Sequence, residues 1–242
     1  MKIAIFSDIH ANLPALEVFF KDIDQVNPDA IYCLGDLVGY NVWPNEVVKK
    51  IRERNIPTIM GNHEEALLKP PAKEEQLTNK GLTRSLLAEE NIEYLINLPR
   101  HLSLSFSNSW GNFNWLMVHG SPKSTTDYMV EDYPESEVLE LMDQNQADLL
   151  LCGHTHKPFH RIIKSGDKYK HVINKGSVGK PKDGDTRLCY ALIEFNQSLN
   201  SHNSDSLKVN FRRIEYDIEK AARAVEVSGF DNSLATALRL GK

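Results

Sequence analysis

The sequence predicts an α/β domain with a mostly parallel central sheet, and two features of its pattern carry this prediction. Short apolar segments rich in strand-forming residues alternate with segments whose apolar residues recur at helical spacing. Each early apolar segment also ends in a polar turn that leads toward a helix, which is the rhythm of βαβ units. The chain has 242 residues, 41% of them hydrophobic and 25% charged, so we expect a full core in a single domain over residues 1–242.

The N-terminal elements follow this alternation. Lys2–Phe6 is an apolar run of strand formers and predicts the first buried strand. Pro14 suits the first turn of a helix, which apolar residues at helical spacing continue to about Val26. The alternation then repeats with a strand over Ile31–Leu34, a helix from Pro44 and a strand over Thr58–Met60.

The second part of the chain begins with a charged stretch at residues 64–81. This stretch is poor in large apolar side chains, and we expect a surface excursion that leads into helices over about 76–97. Further strands are predicted near residues 102–106, 113–118, 148–151, 159–163, 169–174, 188–195 and 206–213, with a helix near 135–145. The core is expected over about 1–195, and residues 196–242 add a polar loop, the last strand and a helical tail.

Composition and charge exclude several classes of protein. Cys33, Cys152 and Cys189 include no close pair, which argues against a disulfide framework and against a thiolate zinc site. The formal net charge of −5 lacks the basic excess of proteins that hold nucleic acid through its phosphates. No apolar run reaches the ~20 residues of a membrane span and no secretory signal is recognisable, so we expect a cytoplasmic protein.

Polar turns that follow apolar segments contain the same few residue types. Ligands of open α/β sheets bind beyond the carboxyl ends of the strands, so these turns are expected to meet in one crevice. Each turn alone has an ordinary explanation as a capping or turn motif, but so many coincidences are improbable together. The turns are Asp8-Ile9-His10, Gly35-Asp36, Gly61-Asn62-His63, His119-Gly120 and Gly153-His154-Thr155-His156.

The side chains of these turns suit a metal site. Carboxylate, imidazole and amide groups without a thiolate favour divalent ions such as Mn, Fe, Co, Ni or Zn. The candidates are too numerous for one tetrahedral ion and suit two ions that share a carboxylate, for which Asp36 lies in the middle of the set. The candidate metal ligands are Asp8, His10, Asp36, Asn62, His119, His154 and His156.

In their order along the chain, the motifs resemble those of the calcineurin-like metallophosphoesterases over roughly residues 1–195. The resemblance implies a four-layer α/β/β/α sandwich with two mixed β-sheets, and it implies that His63 faces the phosphate and donates a hydrogen bond or a proton. The stretch Asn174–Gly179 resembles a small bacterial and archaeal phosphodiesterase branch, although Lys175 departs from the Asn-Pro-Gly-Ser common there. The implied ligands are Asp8, His10, Asp36 and His156 for the first ion, and Asp36, Asn62, His119 and His154 for the second.

The resemblance also implies hydrolysis of a small phosphoester by a metal-bridging hydroxide. Protein Ser/Thr phosphatases and symmetrical diadenosine tetraphosphate hydrolases carry a phosphate-clamping arginine after Gly-Asp, where this chain has Gly39-Tyr40. Loss of a guanidinium weakens the anchoring of a dianionic monoester, which favours diesters, although Lys123 is a candidate substitute. A phosphomonoesterase or protein phosphatase is the alternative. A non-catalytic scaffold, as in a retromer subunit of this fold, is disfavoured because the ligand set is complete.

Loops beyond the strand ends are predicted to contact the substrate. Residues 64–81 and 120–134 are expected to form mobile walls of the crevice, because both follow candidate ligand turns. Tyr40, Trp43 and Tyr128 are candidates for stacking on a substrate ring, with coverage of the core edge as their alternative role.

Overall fold

Two mixed β-sheets form the centre of the protein, which a computed structural model describes over residues 1–69, 72, 74 and 76–242. The strands are β1 (Lys2–Phe6), β2 (Ala30–Cys33), β3 (His101–Asn108), β4 (Gly111–Val118), β5 (Leu149–Cys152), β6 (Phe159–Ser165), β7 (Lys168–Asn174), β8 (Leu188–Phe195) and β9 (Leu207–Ile214). The first sheet has the order β2-β1-β8-β9, and the second has the order β3-β4-β5-β7-β6. Strand β1 is parallel to β2, and β5 is parallel to β4 and β7, whereas the other neighbours are antiparallel. These sheets confirm the predicted α/β class and the two mixed sheets that the resemblance implies. The predicted mostly parallel central sheet is wrong, because four of the seven strand pairings in the described residues are antiparallel.

Helices connect the strands largely where the sequence pattern placed them. They are α1 (Leu13–Val26), α2 (Pro44–Glu53), α3 (Asn62–Glu65), α4 (Asn79–Leu86), α5 (Glu89–Ile96), α6 (Glu135–Gln144), α7 (Ile218–Glu226) and α8 (Ser233–Leu240), with a 3₁₀ turn at Ala66–Leu68. Asn12 caps α1 by accepting a hydrogen bond from the backbone of Ala15 at 3.2 Å. In the part of the chain that the structure describes, no helix has the length and apolar character to cross a bilayer.

Apolar side chains separate into clusters on the two faces of each sheet. One cluster lies between the sheets, where Ile5 of β1 and Ile193 of β8 pack with Trp115 of β4 and Leu151 of β5. A second cluster joins the opposite face of the first sheet to α1 and α2, and a third joins the opposite face of the second sheet to α6. This distribution favours the four-layer sandwich, which stays a prediction.

The predicted strand over Thr58–Met60 is wrong. Thr58 forms only an isolated parallel bridge to Cys33 at the edge of the first sheet. The backbone of Ile59 donates to Cys33 at 3.0 Å, but that of Met60 donates instead to Pro99 at 2.7 Å, and the chain enters α3 two residues later. The pairing therefore ends before a strand is established, although the segment still brings Asn62 to the same edge.

The charged stretch at residues 64–81 begins with ordered structure rather than with an excursion, because α3 and the 3₁₀ turn continue it to Leu68. Residues 70, 71, 73 and 75 lie outside the described residues, so the expected wall at 64–81 stays a prediction. The helices expected over about 76–97 are present as α4 and α5, and the predicted helical tail consists of α7 and α8.

The second sheet contains a histidine pair away from the polar turns, in which His171 is buried and His160 is half-buried. His171 Nδ1 lies 3.0 Å from His160 Nε2, and the His171 ring lies 6.3 Å from the ring of Phe113. The Nε2 atom of His171 is buried without a hydrogen-bond partner. Burial, followed by the charge of His160, lowers the pKa of His171 to about 4.

We expect protonation of His171 to destabilise the protein in mild acid. The unfolded chain, with a histidine pKa of about 6.5, takes up this proton more readily than the folded chain. The stability contribution of neutral His171 is therefore complete above about pH 6.5 and is lost as the pH falls toward about 4. His171→Leu should reduce the loss of unfolding free energy between about pH 7 and about pH 4.5 by about 2–3 kcal/mol, measured by urea denaturation.

His101→Leu, at an exposed position of β3, is the matched control and should lose stability with acid as the wild type does. A wild-type pH dependence in the His171→Leu variant, or the same reduction in the control, would contradict this prediction.

Candidate metal centre

The candidate ligands come together at the carboxyl ends of four strands. Asp8 and His10 follow β1, Asp36 follows β2, His119 follows β4, and both His154 and His156 follow β5. Asn62 joins them from the first position of α3. All of these side chains are buried except Asn62, which is half-buried. The predicted crevice is therefore a buried polar cluster in which strands of both sheets take part.

One group of possible ligand atoms belongs to Asp8, His10, Asp36 and His156, and these atoms lie within 4.8 Å of one another. His156 Nε2 lies 3.2 Å from Asp8 Oδ1 and 3.1 Å from His10 Nε2. His10 Nε2 in turn lies 3.7 Å from Asp36 Oδ2. This set has the size and donor types of a site for one divalent ion.

A second group consists of Asp36, His119 and His154, again within 4.8 Å. His119 Nε2 lies 3.2 Å from Asp36 Oδ2 and 3.1 Å from the side-chain oxygen of Asn62. Asp36 belongs to both groups, and the same oxygen, Oδ2, faces both. The structure therefore places this carboxylate between two candidate sites.

Hydrogen bonds at the far side of the imidazoles test whether the cluster fits a cation. The Nδ1 atoms of His10, His119 and His156 face the backbone oxygens of Val38, Leu34 and Lys180 at 3.1, 2.7 and 2.5 Å. Since a carbonyl oxygen only accepts, Nδ1 carries a proton in each of these rings. In the neutral form of the ring, Nε2 therefore turns its lone pair toward the cluster.

These lone pairs meet one another and the carboxylates. The Nε2 atoms of His10 and His156 face each other at 3.1 Å, and neither neutral ring has a proton there to donate. Asp8 Oδ1 and His154 Nε2 are buried without any hydrogen-bond partner. Buried acceptors that converge in this way are stabilised by a cation, so the residues present fit divalent metal ions.

Burial and neighbouring charges favour, for most of these groups, the protonation state in which the group can bind a metal. Burial lowers the pKa of His10 and of His156, and it lowers the pKa of His154 to about 4, so these imidazoles are neutral near pH 7. Burial also opposes the charge of Asp8, but Lys175 and His156 outweigh it and hold the pKa of Asp8 well below its usual range. Neutral imidazoles and ionised carboxylates are the forms that bind metals.

Unlike the other imidazoles of the cluster, His119 is favoured in its protonated form, because it lies beside the Asp36 carboxylate. Burial disfavours the imidazolium, but the adjacent Asp36 outweighs burial and raises the pKa of His119 to about 9. A metal ion bound at Asp36 would compete with this proton, since an imidazole ligand binds in its neutral form.

The backbone is strained at most of the candidate ligands. Left-handed φ angles, which L-residues other than glycine adopt at a cost, concentrate in the turns of this cluster. The angles are 53° at Asp8, 49° at His10, 53° at Asp36, 64° at His154 and 60° at His156. Such strain persists where the surrounding structure determines the conformation, and it is typical of functional sites.

Glu64, for which the sequence predicted no role, holds two ligand turns together. Its buried carboxylate accepts backbone hydrogen bonds from Asp36 at 2.7 Å, from Leu37 at 2.9 Å and from Gly61 at 2.8 Å. Burial, and then the charge of Asp36, raises the pKa of Glu64 to about 7. The position of Glu64 directly after Asn62-His63 could have predicted this role, since a carboxylate at this position reaches the backbone that begins α3.

His63 lies beside the first group. Its ring centroid is 4.8 Å from that of His10 and 4.8 Å from that of Tyr40, and its backbone N–H donates to Asp36 Oδ1 at 3.0 Å. Gly39, with a φ of 94°, leaves room for this ring, because a Cβ there would overlap the imidazole. His63 therefore flanks the cluster without belonging to either ligand group.

The other candidate residues lie in different places: two tyrosines beside the cluster, a tryptophan at the core and a lysine at the surface. The ring centroid of Tyr40 lies 4.7 Å from that of His10, and the ring centroid of Tyr128 lies 4.4 Å from that of His154. Trp43 instead packs against the core cluster around α1 and α2. Lys123, the candidate arginine substitute, donates to Glu137 at 2.8 Å and to Tyr133 at 3.1 Å, so its ammonium is already engaged.

Comparisons with known proteins indicate a family and a shared fold. A family model for the calcineurin-like phosphoesterase superfamily domain matches residues 1–198. An uncharacterised protein of Methanocaldococcus jannaschii is 30% identical over 258 aligned positions, which cover 99% of this chain and 98% of that protein. The crystal structure of a metallophosphoesterase from Sphaerobacter thermophilus is 30% identical with a TM-score of 0.79, covering 100% of this chain and 99% of that one. A Pyrococcus horikoshii structure, 22% identical with a TM-score of 0.81 and a coverage of 100% and 98%, has the same fold.

Proposed function

This chain belongs to the calcineurin-like phosphoesterase superfamily, and from this premise we propose that it hydrolyses phosphodiesters with two divalent ions bound around Asp36. The observation that carries the proposal is the position of one carboxylate oxygen, Asp36 Oδ2, between two groups of possible ligand atoms. Two ions that share a carboxylate form a clamp for displacement at phosphorus.

The proposed ligand sets follow the two groups. The first ion would be held by Asp8, His10, Asp36 and His156, and the second by Asp36, Asn62, His119 and His154. Nitrogen and oxygen donors of this kind suit Mn, Fe, Co, Ni or Zn. When bound, the ions would neutralise charge on the phosphate oxygens and lower the pKa of an attacking water.

His63 is proposed to act on the leaving oxygen. It lies beside the first group but outside both ligand sets, so its ring nitrogens are available to the substrate. Burial lowers the pKa of His63, and its neutral ring still has one N–H to donate. A bound phosphate would favour the imidazolium through its negative charge and so assist proton transfer.

Lys182 is proposed to bind a phosphate oxygen in place of the missing arginine. Its half-buried ammonium lies 6.0 Å from the ring centroid of Tyr40, beside His10. Burial lowers the pKa of Lys182 while the carboxylates of Asp8 and Asp36 oppose this effect, so the ammonium lies within their field. The ammonium of the neighbouring Lys180 lies closer to the Tyr40 ring, at 5.2 Å from its centroid, but it already donates to the backbone oxygen of Lys242 at 2.7 Å.

The diester preference has support in the two tyrosines. Tyr40 lies at His10 on the side of the first group, and Tyr128 lies at His154 on the side of the second. Tyr128 is 57% exposed, so its ring is open to a ligand. Aromatic surfaces on both sides of the phosphate position suit a substrate with two ester substituents. A monoester, which offers one substituent and two negative charges, depends more on Lys182.

We expect His63→Ala to reduce kcat without loss of metal. The reduction should reach about 10²–10⁴-fold on an alkyl diester, whose poor leaving group needs a proton, and should be smaller on a nitrophenyl diester. The measurement compares kcat on both substrates, with metal content determined in parallel.

An equal reduction of kcat on both diesters would limit His63 to electrostatic stabilisation. Loss of a metal ion in the variant would make His63 a ligand and contradict its proposed role.

We expect Lys182→Met to raise KM for a nitrophenyl diester by roughly 10-fold while kcat changes less, because a charge-assisted hydrogen bond to the phosphate is lost. The effect should be larger on nitrophenyl phosphate, a dianion, and Lys182→Arg should retain binding. Lys49→Met, on the exposed surface of α2, is the control.

The steady-state constants of these variants also test the substrate class. A wild-type KM in Lys182→Met would show that this ammonium does not bind substrate. Higher wild-type kcat/KM on monoesters than on diesters would replace the proposed diesterase with a phosphomonoesterase.

A further inference from the structure

A fully buried lysine contacts Asp8, one of the candidate ligands of the metal centre. Lys175 follows β7, and its ammonium donates to Asp8 Oδ2 at 2.9 Å, with both side chains 0% exposed. Buried lysines are rare because an ammonium loses its hydration, so one that persists is paired with an anion. Here the anion is a candidate metal ligand.

The two oxygens of Asp8 have different surroundings. Oδ2 accepts hydrogen bonds from Lys175 and from the hydroxyl of Ser7. Oδ1 has no hydrogen-bond partner and faces His156 Nε2 at 3.2 Å, with His10 Nε2 at 3.9 Å. Lys175 therefore holds one oxygen of the carboxylate and leaves the other for the first metal position.

The fold makes room for this ammonium. A Cβ at Gly153 would overlap Lys175 Nζ, so the glycine that begins the Gly153-His154 turn permits the contact. The side chain of Asn174 donates to the Gly153 oxygen at 2.7 Å and fixes this turn against the end of β7. The position of Lys175 is thus determined by the same turn that supplies His154.

We propose that Lys175 is a resident cation that balances the Asp8 carboxylate in the metal-free protein and, through its charge, weakens metal binding at the first site. In the metal-free protein, Asp8 and Asp36 place two carboxylates in one buried cluster, and Lys175 is a fixed opposite charge in contact with one of them. This inference rests on the metal-binding part of the proposed function and is independent of which phosphoester is hydrolysed.

The two roles predict opposite effects of removing the charge. Without metal, loss of the ammonium leaves Asp8 buried without its positive partner and destabilises the fold. With metal bound, the divalent ion balances the Asp8 carboxylate in a variant that lacks the ammonium. The repulsion between ammonium and metal is then absent. Lys175 therefore makes the fold less dependent on the metal, and its removal should make the fold more dependent on it.

The experiment uses the full chain with Mn²⁺ as the probe. Metal-free wild type, Lys175→Met and Lys175→Gln are compared by thermal unfolding without and with Mn²⁺, and by calorimetric titration with Mn²⁺. The glutamine retains a donor for Asp8 without the charge. Lys170→Met is the matched control, because Lys170 is another buried lysine that pairs with Asp143 at 2.8 Å, away from the ligand turns.

We expect Lys175→Met to lower the Tm of the metal-free protein, to bind Mn²⁺ at least about tenfold more tightly, which is about 1.4 kcal/mol, and to recover most of the lost Tm when Mn²⁺ is added. Lys175→Gln should show the same gain in affinity, whereas Lys170→Met should lose similar Tm with and without Mn²⁺. A metal-free Lys175→Met chain that folds only with Mn²⁺ would support the proposal as well.

Several results would overturn the proposal. An equal loss of Tm with and without Mn²⁺ would make Lys175 a packing residue only. Unchanged or weaker Mn²⁺ binding in Lys175→Gln would show that its charge does not oppose the metal. A wild-type chain that binds no Mn²⁺ would remove the premise, whereas a chain that binds Mn²⁺ without phosphodiesterase activity would leave this proposal intact and contradict the proposed function.

Discussion

The shared position of the Asp36 carboxylate is the constraint on which the rest of the site depends. A buried carboxylate is unfavourable unless opposite charge or hydrogen-bond donors surround it. Here His119 and His10 face one oxygen at 3.2 and 3.7 Å, and the backbone of His63 donates to the other at 3.0 Å. The strand ends, the left-handed turns and the α3 segment all bring groups to this one side chain. Asp36 thereby joins two ligand groups into a single centre.

Groups behind the ligands fix their geometry. Backbone oxygens orient the imidazoles, Glu64 binds the backbone of Asp36 and Gly61, and Lys175 holds Asp8 from the side away from the histidines. Glu64 and Lys175 are buried charged residues, and each sits next to an aspartate of the cluster. The electrostatics of the centre therefore depends on residues outside the ligand set as well as on the ligands themselves.

The sequence pattern predicted most of the strands and helices and the convergence of the candidate ligands, because these depend on local patterns. It did not predict the mixed sheets, because the pairing of distant strands is not a local property. Apolar runs placed the strands, and polar turns at their ends placed Asp8, Asp36 and His119 at one edge. The strand at Thr58–Met60 was wrong because backbone pairing there changes partner after Ile59. The role of Lys175 was out of reach, since its contact with Asp8 spans 167 residues and a buried lysine runs against its usual preference.

Titration of the metal-free protein with Mn²⁺ tests the central claim most directly, using wild type, Asp36→Asn and Asn62→Ala. We expect two ions per wild-type chain, weaker binding at both positions by at least about tenfold in Asp36→Asn, and weaker binding at only one position in Asn62→Ala. The reason is that Asp36 Oδ2 faces both ligand groups, whereas Asn62 contacts His119 of the second. A single ion in the wild type, or an Asp36→Asn variant that keeps one position at wild-type affinity, would contradict the shared carboxylate.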